Sequence, residues 1–505
     1  MTTRAAPLWT EFAPTPERWR GSLQITVLCM ATVSIAMALR IPEAALSCYL
    51  IFFAWKDDTG SAVLSALMLI VAATIAIPVA QPLLRLAVDS PPWRLGLLCG
   101  ITLFGMTLAH ASRAAPMLGT ATFVFAFSVT LYDVVPVPAL LSHALAWMWV
   151  VTFVPMALLA VMAIFTGASP RDQAANLIAQ RRDAMGAPHS QAAHTLLDEG
   201  GTRMDGWLGK ARLLGHARGQ DADFLAAQAE ASYLDLARAQ ADLPQRTGPP
   251  PPAAPAVKPP LFRPDLLTNP THVHFGVKVM VAVMITYGIY SIGDLFEIHT
   301  AMITCFFVAL GTGAETRHKI TLRLTGAILG ALLGALVLFG LMPHLSDLGH
   351  LLVLVALGAF PAAWISLGSE RVSYAGWQLA LCYFLVILAG FGPVTDPSTA
   401  IERVLGIAVG VVTVWAVFTI LWPVSVNDRV DDILDQFDVD IAATAGHTLS
   451  GRAAMRLTTQ IAEAERLQHY APFEGRRDQD EAHRIAEARA RLNRKLRHAT
   501  GEPLA

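Results

Sequence analysis

Apolar runs that are nearly bare of charge recur along the chain in two sets of six. The first set is Gly21 to Leu39, a short Ala44 to Trp55, Gly60 to Leu84, Leu95 to Ala109, Ala115 to Tyr132 and His143 to Phe165. The second is His274 to Gly293, Ile298 to Gly313, Leu324 to Met342, Leu351 to Gly368, Val372 to Gly392 and Val404 to Trp422. A bilayer core about 30 Å thick takes about 20 mostly apolar residues per helix. Lipid offers no hydrogen bonds to a bare backbone, so each run is expected to be a helix. The expected fold is an all-α polytopic membrane protein with two six-helix transmembrane halves, about 12 spans.

The polar stretches carry a different pattern. Residues 167–272 hold 11 basic and 11 acidic residues, and Phe224, Leu225, Tyr233, Leu234 and Leu236 are spaced for an amphipathic helix. The stretch runs into a Pro-rich connector at 244–264, from Gly248-Pro249-Pro250-Pro251-Pro252 to Pro259-Pro260, which is stiff and extended. Around Val430, Ile433, Leu434 and Phe437, and again from Ala453 to Leu467, the C-terminal stretch repeats the mixed-charge helical pattern. The domain layout is therefore a tail at 1–20, a first membrane half at 21–166, a soluble helical segment at 167–272, a second membrane half at 273–423 and a soluble helical tail at 424–505.

Orientation follows from the Lys and Arg residues near helix ends. With both soluble parts and both termini cytoplasmic, ten fall inside (Arg4, Arg18, Arg20, Lys56, Arg113, Lys278, Arg317, Lys319, Arg323, Arg371) and four outside (Arg40, Arg85, Arg94, Arg403). The first apolar run follows Arg18 and Arg20, has no small-residue cleavage site after it, and reads as a retained helix.

Composition agrees with the pattern. Charged residues are 15% against 54% hydrophobic, where a soluble chain carries about 25% charged. Of the 76 charged residues, 48 lie in 167–272 and 424–505. That excludes a soluble enzyme with a membrane tail and an outer-membrane barrel of alternating strands. A net charge of -2 gives no support for nucleic-acid binding. Cys29, Cys48, Cys99, Cys305 and Cys382 all fall in apolar runs without ligand spacing, so no disulfide framework, metal or cofactor is expected. Hydrolase, kinase and redox motifs are missing, which argues against an enzyme.

One repeat is visible. Arg323, Gly326, Gly330 and Pro343 recur 80 residues later as Arg403, Gly406, Gly410 and Pro423, and the same offset lays Ile298 to Gly313 over Gln378 to Pro393. Copies three helices apart cross in opposite directions, so the second half is expected to hold an inverted repeat, a plan shared by many secondary transporters. Gly326, Gly330 and Gly334, like Gly406 and Gly410, have the small-xxx-small spacing that lets helices approach closely.

Ionisable residues at helix ends are the candidate chemistry, because charge in lipid is costly and marks substrate or proton pathways. Arg40 and Glu43 close the first hairpin, and Asp294, Glu297 and His299 hold the equivalent place in the second half. A carboxylate beside a cation there either binds an anion with a proton or caps a turn. Asp133 precedes Pro136 and Pro138 and is the first choice for proton coupling, with Glu43, Glu297 and Glu402 behind it. Lys278, one turn inside its helix, either attracts an organic anion or snorkels. Arg323 and Arg403 stand at opposite faces in the repeat. His143, His272 and His274 read as interfacial.

Three segments carry a family resemblance: Arg40-Ile-Pro-Glu-Ala-Ala-Leu-Ser47, Thr316-Arg317 through Gly334, and Gly390-Phe-Gly-Pro-Val-Thr-Asp396 with Glu402-Arg403-Val-Leu-Gly406 and Leu421-Trp-Pro-Val-Ser425. The chain resembles the fusaric acid resistance proteins, which include bacterial aromatic acid exporters and MdtO-type multidrug efflux subunits. The resemblance implies an inner-membrane efflux component that works with a periplasmic adaptor and an outer-membrane channel, moves aromatic carboxylates or related toxic compounds, and draws on the proton gradient. A homo-oligomer is compatible with it. The alternatives are a passive organic-anion channel, since plant malate channels are distantly similar, and a membrane-anchored scaffold or sensor.

The orientation is testable. Cysteines introduced at Ser190, Gly248 and Ala471 should resist an impermeant thiol reagent in intact cells, and one at Ser346 should react. Labelling at Gly248 from outside would reverse the orientation.

Overall fold

The computed structural model describes residues 12–56, 58–88, 90–134, 137–217, 219–243, 260–293, 300–309, 312–344, 346–392, 398–444, 449–474 and 479–498. Helices form at all twelve apolar runs. The first six are α1 (Pro16–Leu39), α2 (Ala44–Ala54), α3 (Thr59–Val88), α4 (Pro91–His110), α5 (Ala115–Val134) and α6 (Pro138–Thr166). Four polar helices follow: α7 (Pro170–Ala184), α8 (Gln191–Asp198), α9 (Thr202–Leu213) and α10 (Gln220–Gln240). The second six are α11 (Pro270–Ile292), α12 (Thr300–Val308), α13 (Gly313–Gly340), α14 (Leu348–Ser366), α15 (Ser373–Ile387) and α16 (Ser398–Ile420). Soluble helices α17 (Val426–Ala443), α18 (Gly451–Gln468) and α19 (Gln479–His498) end the described chain.

Seven of these helices are long and apolar enough to cross a membrane. Among the shorter ones, α2, α12 and α15 have 11, 9 and 15 residues, about 16, 14 and 22 Å at 1.5 Å per residue. Most of their residues are buried. Burial in protein is the setting in which a short helix at membrane depth is tolerated. Helix starts follow local chemistry: Thr15, Asn269, Thr312 and Ser425 cap α1, α11, α13 and α17 through side-chain oxygens that accept backbone N–H groups.

The two sets of six are built alike. Pro270 opens α11 254 residues after Pro16 opens α1, and Gly313 opens α13 254 residues after Thr59 opens α3. Contacts between the sets are reciprocal: α1 packs on α14 as α11 packs on α4, and α2 packs on α15 as α12 packs on α5. Each seam has its own apolar core. One gathers Ile25, Cys29, Phe52, Val355, Tyr383 and Phe384, the other Leu98, Met106, Val279, Tyr290, Met302 and Val414.

Within the second set, the glycines act as spacing predicts. A Cβ on Gly326 would stand 2.3 Å from the Ala375 carbonyl oxygen, and one on Gly330 2.4 Å from that of Leu379, both on α15. On Gly334 it would meet Val386 at 3.0 Å, and on Gly410 of α16 the Ala301 carbonyl of α12 at 2.5 Å. Gly406 is buried on the same helix.

The two soluble stretches share one core. Tyr233 of α10 donates to Thr458 Oγ1 of α18 at 2.6 Å, and burial pushes its phenol pKa up to about 12. Arg489 of α19 pairs with Asp198 of α8 at 3.0 Å and with Glu465 of α18 at 2.8 Å. Arg181, fully buried, donates to the Gly200 carbonyl at 2.6 Å and lies 5.2 Å over the Tyr233 ring.

This bundle grips both long third helices at their first turn. At α3, the buried Asp58 accepts from Ser61 and from Trp207 Nε1 of α9 at 3.2 Å, with Lys210 at 4.0 Å. At α13, Glu315 pairs with Arg466 of α18 at 3.0 Å.

Packing at the seams generates a stability test. Backbone carbonyls cannot move aside, so Gly330→Ala and Gly410→Ala should each cost about 1 to 3 kcal/mol and lower the melting temperature in detergent. Gly288→Ala, where a Cβ meets nothing within 4 Å, should be neutral or stabilising. Equal tolerance at the three sites would refute close approach as the glycines' role.

Candidate functional site

Between the two seams lies a cavity of about 2040 Å³ lined by helices of both sets. One wall is α3, which presents Ser65, Met68, Leu69, Ala72 and Ala76. The facing wall includes α13, where Glu315, Lys319 and Arg323 line the cavity at helical intervals of four. A shift of 254 residues carries Ser65 onto Lys319 and Leu69 onto Arg323. Equivalent walls thus differ in charge, one neutral and one cationic.

Arg323 is 2% exposed. Its Nη1 donates to the Tyr374 hydroxyl at 2.9 Å, while its Nε has no hydrogen-bond partner. The same Tyr374 ring carries the Lys319 ammonium at 4.9 Å. Tyr374 lies in the first turn of α15, one residue before the carbonyl that meets Gly326, so the glycine seam sets this distance. Tyr49, Phe53 and Trp377 add aromatic surface to the same region of wall, with Phe53 and Trp377 edge to face at 6.1 Å. Two cations and an unused guanidinium N–H beside aromatic rings can hold a small organic anion.

Lys278 is 4% exposed. Its ammonium donates to the Trp422 carbonyl at 2.6 Å and lies 5.3 Å from the Phe418 ring centroid. His274 stacks on Trp422 with ring centroids 4.3 Å apart. Lys278, His274 and Trp422 all line the cavity at its soluble-bundle end.

Arg40 and Glu43 also line it, from the turn between α1 and α2. Both have left-handed backbone, φ 52° and 55°. Glu43 stands at the N-cap of α2 without a side-chain cap hydrogen bond, so of the two roles open to it the structure does not show the turn cap. Glu402 is half-buried on α16 and does not contribute to the described lining. The side chains of Asp133 and Arg403 lie outside the described residues, as do Asp294, Glu297 and His299. The structure thus brings together four of the expected site residues, Arg40, Glu43, Lys278 and Arg323.

Sequence reasoning missed Lys319, Tyr374 and the aromatic surround. The spacing of Glu315, Lys319 and Arg323 on one helical face was a usable signal for the first. Nothing in the sequence places Tyr374 beside Arg323, 51 residues away. Arg466 at the cavity mouth was hidden too: it holds Glu315, Glu463 at 2.8 Å and Glu370 at 3.6 Å, and these carboxylates keep its guanidinium pKa above the ordinary value. Among the described residues no cluster of His, Cys, Asp or Glu could hold a metal ion.

Residues 279–417 match the family model described as fusaric acid resistance protein-like. Two relatives, the multidrug resistance protein MdtO of Escherichia coli strain K12 and that of Shigella flexneri, are each 37% identical over 175 residues. The match covers 34% of this chain and 26% of each relative, so the chain spans about a quarter of the length of the curated relatives it matches. No solved structure matches the chain. The family-model match falls on the second half, which holds the Arg323 cluster and the glycine seams.

The mouth offers a mutational check. Arg466→Met leaves Glu315, only 15% exposed, with the Thr312 hydroxyl and no cation, and should cost about 1 to 3 kcal/mol with faster proteolysis of α18 and α19. Arg429→Met removes an exposed pair with Asp432 and should stay within about 1 kcal/mol.

Proposed function

We propose that the chain is an efflux transporter of a bacterial inner membrane that takes small organic anions, aromatic carboxylates among them, from the central cavity. One observation carries the reading: Arg323 and Lys319 converge on Tyr374 in a cavity wall that also presents Tyr49, Phe53 and Trp377. Burying an unpaired charge costs several kcal/mol. A guanidinium left short of partners in a lined cavity is therefore suited to an incoming carboxylate, and the rings suit an aromatic body.

In this reading all twelve apolar helices belong to the membrane domain and the second half is an inverted repeat. The reciprocal seams support it, with α13 glycines on α15 and Gly410 of α16 on α12. The soluble bundle and the termini are cytoplasmic, supported by the distribution of Lys and Arg. Drive by the proton gradient, and assembly with a periplasmic adaptor and an outer-membrane channel, belong to the same proposal and draw on the resemblance to the fusaric acid resistance proteins.

Counterflow of radiolabelled aromatic acids in proteoliposomes, with and without a pH gradient, tests it. Arg323→Gln and Lys319→Gln should raise the half-saturating concentration at least about tenfold, the equivalent of about 1.4 kcal/mol. Flux that never shows counterflow but follows membrane potential would identify a channel. Folded protein that moves no acid at all would sink the transport reading.

A further inference from the structure

The two seams between the sets of six close differently at the soluble-bundle side. Where α1 meets α14, Arg18 Nε donates to the Trp364 carbonyl at 2.7 Å, and the guanidinium lies 5.1 Å from the Trp364 ring centroid. A shift of 254 residues carries Arg18 onto His272 and Trp364 onto His110. At that second seam, where α11 meets α4, two imidazoles face each other with their Nδ1 atoms 2.8 Å apart.

Each imidazole has a further neighbour. His272 is 1% exposed, and its Nε2 lies 3.4 Å from Oδ1 of Asp265. Asp265 is 42% exposed, and its Oδ2 accepts from the Asn269 amide at 2.8 Å. That hydrogen bond helps hold its carboxyl below the usual carboxylate range. Backbone bonds from Arg113 N to the Leu261 carbonyl and from Arg263 N to the Ala111 carbonyl tie this connector to the end of α4. At the other end His110, half-buried and stacked 4.5 Å from Phe275, lines the central cavity.

Two Nδ1 atoms at this separation must share one proton, because two lone pairs repel and two N–H groups clash. In the neutral pair one proton is held between the two Nδ1 atoms, and His272 Nε2, which makes no hydrogen bond in this geometry, stands 3.4 Å from Asp265 Oδ1. A proton taken up from the cavity on His110 Nε2 lets the Nδ1 proton pass to His272, and His272 then releases its Nε2 proton to Asp265 and solvent. Each step breaks one N–H bond and forms one N–H or O–H bond, so charge and protons balance, and rotation of the rings resets the line. The charged groups facing the pair are Asp265 and Arg263 from the connector, Lys278 from α11 and Arg429 from α17.

We propose that His110, His272 and Asp265 form a proton relay between the central cavity and the solvent on the soluble-bundle side. As the coupling element of transport it rests on the reading above. Closing the seam does not by itself require titratable groups, since Arg18 and Trp364 close the equivalent one without them.

The equivalence supplies the test. The double variant His110→Trp, His272→Arg rebuilds the second seam in the chemistry of the first. In proteoliposomes, the ratio of pH-gradient-driven transport to exchange at equal pH should fall at least tenfold. Asp265→Asn, near the surface and safe for folding, should lower the same ratio and shift its pH profile, whereas Asp347→Asn at the far end of the molecule should not. Imidazole nitrogen NMR on the purified wild-type chain should show one proton shared between the two Nδ1 atoms, lost in His110→Gln. A ratio that is unchanged in the double variant and in Asp265→Asn, or the absence of the shared proton, overturns the relay. Wild-type protein that shows the shared proton but no counterflow overturns the transport reading instead.

Discussion

Carbonyl oxygens of α15 stand where the side chains of α13 would be if Gly326 and Gly330 were any other residue. The wall of the cavity depends on this contact. It brings the start of α15 against α13 one turn below Gly326, and so puts the Tyr374 hydroxyl 2.9 Å from Arg323. Without hydrophobic drive between helices in lipid, association relies on close van der Waals packing, and small residues permit it. The counterpart contact of Gly410 with α12 does the same for the other short helix.

Buried cations are the cost of this arrangement, and the structure handles them in two ways. Lys278 is committed to the Trp422 carbonyl and the Phe418 face, so it serves the protein's own packing. Arg323 has the Tyr374 hydroxyl and leaves its Nε unused. Removing a charge from water costs several kcal/mol unless its hydrogen bonds are replaced. The difference between these two residues therefore separates a structural cation from one suited to a ligand.

Function is concentrated where the two sets of six depart from one another. Leu69 and Arg323 occupy equivalent places, and only the second makes a cationic wall. Arg18 with Trp364 and His272 with His110 occupy equivalent seams, and only the second pair brings two imidazoles within hydrogen-bond distance. Both third helices are gripped by the soluble bundle at their first turn, yet Asp58 is held by Trp207 and Lys210 while Glu315 is held by Arg466 at the cavity mouth. A shared scaffold fixes position, and substitutions on one side supply chemistry.

The sequence by itself determined the twelve apolar helices, the polar helical stretches between and after them, and the glycine seams. These rest on local quantities: runs of apolar residues, their period, and the presence or absence of a Cβ. It also placed Arg40, Glu43, Lys278 and Arg323 among the residues of interest, because charge is conspicuous in an apolar run. Tertiary structure decided what each of them does. Lys278 faces a carbonyl 144 residues away and Arg323 a hydroxyl 51 residues away, separations that no periodicity encodes. His272, read from its position as an interfacial residue, is 1% exposed because α4 covers it with His110. Partners across a helix seam depend on how two helices are rotated against each other, and that rotation is settled by the packing of the whole bundle.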